Sequence, residues 1–216
     1  MSELIYLSNV RLSFPHLVEP QRTTNKDTGV DRISYNCEFI MDNTHDGFKQ
    51  FMTRYSTLAL EKWKENATAA MNMINNERKS RCYGSGHEKV SKKTFAVYKG
   101  YDGKVFISAG RDTPPQLVQA DGKPADPSNT MLYQQLARKL YGGCNVNAAV
   151  KPWLQANTHG NGIRCDLVAI QFLSDNEAFG EGDVDVTGVF GATAATPAFA
   201  AAPATTMPLP PFMMGN

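Results

Sequence analysis

The sequence contains no apolar run approaching the roughly 20 residues that a membrane-spanning helix requires. Its opening, MSELIYLSNV, has neither a basic lead nor a long apolar core, so the expectation is a soluble, intracellular protein with no membrane partner. Cysteine is scarce: Cys37, Cys82, Cys144 and Cys165 stand singly, with no CxxC pair. They are expected to be small buried hydrophobes in a reducing cytoplasm. A zinc site built on Cys82 and His87 would lack its second ligand pair, and no metal or other cofactor is expected. The four histidines, His16, His45, His87 and His159, fall in separate polar segments, and the acids of the first 174 residues are dispersed. Neither a carboxylate metal centre nor a nucleophile with its base can be assembled from such spacing. The chain therefore reads as a non-enzyme, with a metal-dependent nuclease as the rival of a different class. The glycines of YGSGHEK (residues 83–89) lack the GK[ST] ending and the strand-to-helix setting of a phosphate loop.

Charge is nearly balanced over the whole chain, at +1, but not along it. All 22 Lys and Arg precede residue 174 together with 16 of the 21 acids, so the body carries a net +6 and the remainder −5. A basic body with an acidic appendage is the asymmetry of a polyanion binder. The excess is concentrated in residues 78–104, RKSRCYGSGHEKVSKKTFAVYKGYDGK, where eight cations face only Glu88 and Asp102. Arg81, Lys92, Lys93, Lys99 and Lys104 alternate there with Tyr83, Tyr98 and Tyr101. Cations that track phosphates and rings that stack on unpaired bases are the composition of a single-strand groove. A solvated basic face on a structural or adaptor protein is the alternative.

Period-two alternation predicts strands, because successive side chains point to opposite faces. The first is expected over residues 4–14, with Tyr6, Ser8, Val10, Leu12 and Phe14 sharing a face, and Pro15 and Pro20 ending it. Residues 16–32 read as a long mobile loop holding Arg22, Lys26 and Arg32. A second strand over 33–41 aligns Tyr35, Cys37, Phe39 and Met41. Phe48, Phe51, Met52, Tyr55, Leu58 and Ala59 then recur at helical spacing, predicting a structural helix over residues 44–76, capped by Thr44 and broken near 66–68. The YDGK turn joins expected strands 94–101 and 104–109 into a hairpin. A Pro-rich loop (111–129) and a short helix (130–141) ended by Gly142 and Gly143 lead to the last hairpin, 141–173. In it Cys144, Val146, Ala148 and Val150 face the core, while Lys151 and Trp153 face outward. Residues 175–216 turn acidic and then Ala, Thr and Pro rich, the composition of a disordered tail beyond a domain of residues 1–174.

Five or six strands with inserted helices suggest a mainly β fold, a five-stranded Greek-key barrel of the OB type, with a sheet sandwich as the alternative. The candidate DNA-binding set is Arg22, Lys26, Arg32, Tyr35, Arg81, Tyr83, Lys92, Lys93, Tyr98, Lys99, Tyr101, Lys104, Lys151 and Trp153.

Three blocks carry a resemblance: VRLSFPHLVEP (10–20), YGGCNVNAAVKPW (141–153) and GIRCDLVAIQFLSDNEAFG (162–180). They resemble the conserved blocks of a bacteriophage family of single-stranded DNA-binding proteins with an OB fold, distantly similar to podophage replicative binding proteins. The resemblance implies a non-enzymatic protein of the host bacterial cytoplasm, monomer or homodimer, that coats single-stranded DNA in phage replication, recombination or repair. It also implies an acidic C-terminus ending in an aromatic residue, through which phage replication or recombination proteins are recruited. This chain departs from that pattern, since its five tail acids lie at 175–185 and it ends in neutral PFMMGN, with Phe212 the remaining docking point. The acidic segment is expected to fold back onto the basic groove.

Overall fold

The computed structural model describes residues 4–24, 29, 31–158 and 160–180. Strands β1 (Ile5–Thr24), β2 (Asp31–Met41), β3 (Tyr83–Ser85), β4 (Val105–Arg111), β5 (Gln116–Val118), β6 (Asn145–Asn157) and β7 (Gly160–Ser174) form one sheet. Their order is β3-β4-β2-β1-β6-β7-β5, antiparallel throughout except where β5 runs parallel to β7. The expected OB-type architecture therefore appears as an open sheet of seven strands rather than a strict five-stranded barrel. It curls so that β4 and β7, which are not ladder neighbours, pack against each other.

Helices α1 (Asp46–Trp63) and α2 (Ala67–Asn76) cover the concave side, where α1 lies against β1 and β6 and α2 against β7. Phe51, Tyr55 and Ala59 recur every fourth residue, so one stripe of α1 is buried against Leu7, Phe39, Ile107, Val146 and Val150. The interruption comes at Lys64, whose φ of 49° is left-handed, and a 3-10 turn over Lys64–Asn66 follows. The N-cap is His45 rather than Thr44: its Nδ1 accepts from Gly47 N while its Nε2 meets Ser8 O at 2.8 Å.

Two expectations for the first strand are corrected. Its ladder with β2 does not stop at Pro15 but continues to Thr24, so most of the expected basic loop is a two-stranded arm. Pro15 and Pro20 fall where the register shifts, between Ser13 and His16 and between His16 and Gln21. No ladder bond is demanded of them there, and β6 pairs with β1 only as far as Arg11. The faces are also inverted at the start. Asn9, at φ 52°, makes a bulge between Leu7 and Val10, so Ile5, Leu7, Val10 and Leu12 face the core while Tyr6 and Phe14 are exposed.

Residues 94–101 form no strand either. Segment 86–104 folds as turns with one bridge, Val90 to Val97, and packs on the convex side of β2 and β4. There Tyr101, Ile40 and Phe106 make a second small core with Val97 and Phe179. The expected tight turn at Asp102 and Gly103 exists, with Lys104 N donating to Tyr101 O, but the strand that follows it pairs with β2 and β3. Helix α3 (Thr130–Lys139) is capped by Asn129, and the Pro-rich segment before it hides β5. Among the described residues, no helix is long and apolar enough to cross a membrane.

Residues 175–180 stay in contact with the rest of the fold. Asp175 accepts from Tyr141 Oη, Phe179 N donates to Gly142 O, and the Phe179 ring lies 4.4 Å from the Arg11 guanidinium. Residues 181–216, with most of the expected tail and Phe212, lie outside the described residues.

Candidate nucleic-acid interface

The curl of the sheet leaves a groove of about 690 Å³. Six cations line it: Arg32 from β2, Arg111 from the end of β4, Arg164 from β7, and Arg78, Lys79 and Arg81 from the segment leading into β3. Trp153 stands on β6 directly opposite Arg164 on β7. Among the described residues, the carboxylates in the lining are Glu38 and Asp166.

The Trp153 ring is 39% exposed, and its Nε1 donates to Asp166 Oδ1 at 2.7 Å. That bond helps fix the orientation of a side chain that stays partly exposed, as a stacking platform must be. The cations divide into clamps and free arms. Arg81 is a clamp: it pairs with Glu88 at 3.0 Å and donates to the carbonyls of Asn75 and Tyr83, with little of its side chain exposed. Arg164 ties β7 to the turn before β3 through Lys79 O and meets Gln155 Oε1. Arg78 is shared between Glu88 and the Arg81 carbonyl. Lys79, Arg111 and Arg32 project to solvent, and the 3.7 Å pair of Arg32 with Asp112 is too exposed to hold it.

Cys37, Cys82 and Cys165 also line the groove. Burial pushes the Cys82 thiol up to about 12 and raises Cys37 and Cys165 well above their ordinary range, so all three stay protonated at neutral pH. All four cysteines are buried, and among the described residues no group of His, Cys, Asp and Glu could hold a metal ion.

Of the residues singled out from sequence, this groove brings together Arg32, Arg81 and Trp153. Arg22 pairs with Ile33 in the arm and so faces away from Thr23 and Arg32. Lys26 lies outside the described residues. Tyr35 is half-buried near Tyr133 of α3, whose phenol is raised by burial and then by that neighbour. Lys151, half-buried, is paired across the ladder with Asp166.

Two rings expected to stack are corrected to core residues. Tyr83 is buried among Phe48, Phe51 and Tyr55, with its hydroxyl on Asn75 Oδ1. Tyr101 is fully buried, and its hydroxyl donates to Glu38 Oε2 at 2.5 Å. Burial, and then the Glu38 charge and hydrogen bond, raise its pKa far above the ordinary phenol value. Ser108 Oγ and Lys89 Nζ also meet Glu38, so this carboxylate fastens segment 86–104 to the sheet. Replacing Tyr101 by Phe should lower stability by about 1.5 kcal/mol, by removing a donor to a charged group. A urea titration reads the loss, and affinity for short oligo(dT) should stay at the wild-type value.

Lys92, Lys93, Tyr98 and Lys99 are exposed on that segment, and Lys104 is held by Asp42 at 2.7 Å. The described part of the acidic segment reaches this basic stretch: Glu177 pairs with Lys99 at 2.7 Å, and its carbonyl accepts from Arg11. Glu181, Asp183 and Asp185 lie outside the described residues. Sequence reasoning passed over Arg111 and Arg164, single cations inside apolar strands. The signal for Arg164 was its place across the hairpin from Trp153, legible once Asn157 is paired with Gly160.

Among known proteins, the chain is 29% identical over 182 residues to protein p50 of Acyrthosiphon pisum secondary endosymbiont phage 1, a match covering 83% of this chain and 88% of that one. The single-stranded DNA-binding protein from bacteriophage Enc34, in its structure in complex with ssDNA, matches with a TM-score of 0.60 at 24% identity, over 82% of this chain and 90% of that one. The structure of the same Enc34 protein described without ssDNA matches with a TM-score of 0.55 at 23% identity, over 87% and 89%. These structural likenesses establish the fold. The family model described as the ssDNA-binding protein of Enterobacter phage Enc34 matches residues 3–199, and the chain belongs to that family.

Proposed function

We propose that this protein binds single-stranded DNA without sequence preference, coating the strand in phage replication, recombination or repair in the host bacterial cytoplasm, and that it acts by binding and not by catalysis. The observation that carries the reading is the groove itself: six cations line it together with a partly exposed Trp153. Family membership supports the same ligand. In this reading Arg32, Arg78, Lys79 and Arg111 neutralise phosphates, while Trp153 stacks on a base that has no pairing partner. Arg81 and Arg164 hold the groove's wall in place and add field. Planar guanidinium forks suit phosphate oxygens, and no side chain in the groove needs to read a base edge.

The test is fluorescence anisotropy of labelled oligo(dT) of about 30 nucleotides, long enough for one or two footprints, against duplex of equal length. The single strand should bind more tightly at every salt concentration. With about four phosphates neutralised, log K against log salt should slope near −3. A weak slope with no preference for the single strand would instead mark the basic face as a solvated surface.

A further inference from the structure

Phe14 lines the groove and also a second cavity of about 270 Å³ on the convex side, walled by Tyr98, Tyr101, Phe179 and Pro15 with Lys99 at its rim. We propose that this cavity is a second nucleotide subsite, which takes one unpaired base of the strand that leaves the groove, with Lys92, Lys93 and Lys99 meeting its flanking phosphates. The inference rests on the reading of the groove as a single-strand site and extends the path of that strand.

Three observations support it. First, large aromatic side chains are held outward at a conformational cost. Phe14 is 46% exposed at φ 45°, and Phe95, at the tip of segment 86–104, is 83% exposed at φ 55°. Left-handed backbone is unfavourable for residues with a Cβ, and such positions persist mainly where function or surrounding structure demands them. Second, the geometry is that of a ring receptor. Phe14 and Tyr98 meet edge to face at 5.3 Å, leaving Tyr98 39% exposed beside a cavity whose walls are chiefly apolar. Third, the rim is cationic and already holds an anion, since Lys99 pairs with the exposed Glu177 at 2.7 Å, a carboxylate that a phosphate could displace. A flat apolar ring attached to an anion is a nucleotide, and because Phe14 is common to both cavities the subsite continues the groove.

The test compares the full-length protein with its Tyr98→Ala variant on oligo(dT) of about 6 and about 16 nucleotides, the shorter filling the groove alone and the longer reaching past Phe14. The variant should bind the longer strand about tenfold or more weakly, as expected for loss of stacking, and the shorter strand as the wild type does. Unchanged affinity for both lengths would overturn the subsite and leave the groove reading standing. Tighter binding of both would also overturn it, by showing that the cavity normally holds an aromatic side chain of the protein that competes with DNA. Equal weakening on both lengths would overturn its separateness from the groove. Failure of the wild type to bind either strand would remove the groove reading, and the subsite with it. Photocrosslinking of the wild type to the longer strand carrying 5-iododeoxyuridine gives an answer independent of the variant's folding. Adducts are expected at Phe14 or Tyr98 besides Trp153, and adducts at Trp153 alone would overturn the proposal.

Discussion

Replacing Arg32, Lys79 and Arg111 together by alanine should lower the affinity for oligo(dT) about 100-fold at 0.1 M salt, with little change in stability. The three are chosen because the fold does not need them. Their side chains reach solvent at the groove, and the Arg32 to Asp112 pair is long and exposed on both sides. Each phosphate neutralised on a single strand contributes about 0.7 to the salt slope. Three lost contacts should therefore flatten log K against log salt by about 2 units. Since the counterion term vanishes as salt approaches 1 M, the wild type and the variant should converge there, and at 0.1 M they should differ by about two decades. Arg81→Ala is the contrasting variant. It removes a clamp shared by Glu88, Asn75 and Tyr83, so the damage should appear first in the urea midpoint and leave the salt slope nearly intact. Parallel salt plots for the wild type and the triple variant would place the phosphates elsewhere.

The parts of this fold that were legible in the sequence are those where one local rule runs uninterrupted. Strand β6 alternates without a break from Val146 to Pro152, so its faces, and the outward place of Trp153, follow from period two alone. Helix α1 was legible because its stripe repeats at helical spacing against a single surface. Where a non-local partner decides, the pattern misleads. A single left-handed residue, Asn9, inverts the start of β1, and nothing in its neighbours announces that. Two prolines suggest that β1 stops, yet they sit in register shifts that only the pairing with β2 reveals. Strand β5 is three residues long and exists because β7 offers a free edge.

The candidate site shows the same division. Lysines alternating with aromatics correctly marked residues 78–104 as unusual, but the mixture hid two roles. Tyr83 and Tyr101 are buried by elements distant in sequence, α1 and β2, while Tyr98 and Phe95 stay at the surface. The groove's cations come from four separate stretches of chain, and a charge run detects only one of them.

Gly86→Ala should cost about 3 kcal/mol or more, a severe loss for a substitution that adds one methyl group. The backbone of Gly86 is not left-handed, so alanine meets no conformational objection, and the whole cost is steric. A Cβ there would stand 1.7 Å from Tyr101 O and 2.7 Å from its carbonyl carbon, with Lys104 O at 3.0 Å on the other side. All three are backbone atoms, which cannot swing away as a side chain tip would. Gly86 N also donates to Lys104 O at 2.7 Å, so separating the two segments breaks the bond that registers them. The displaced turn carries Tyr101, whose hydroxyl on Glu38 fastens segment 86–104 to the sheet, so the strain should spread to that whole segment. Gly103→Ala provides the opposite case: φ is 65° but nothing lies within 4 Å, so its cost is conformational and should stay near 1 kcal/mol. Urea midpoints for the two variants therefore separate crowding from backbone preference in one turn, and comparable losses would mean that the close approach of Gly86 to Tyr101 relaxes without effort. If the Gly86 variant remains folded at low temperature, it should keep the groove's salt-sensitive binding of short oligo(dT) while losing grip on longer strands. The groove is built by β1, β2, β4, β6 and β7 and the turn before β3, whereas the exposed rings and lysines of segment 86–104 depend on the contact that Gly86 permits.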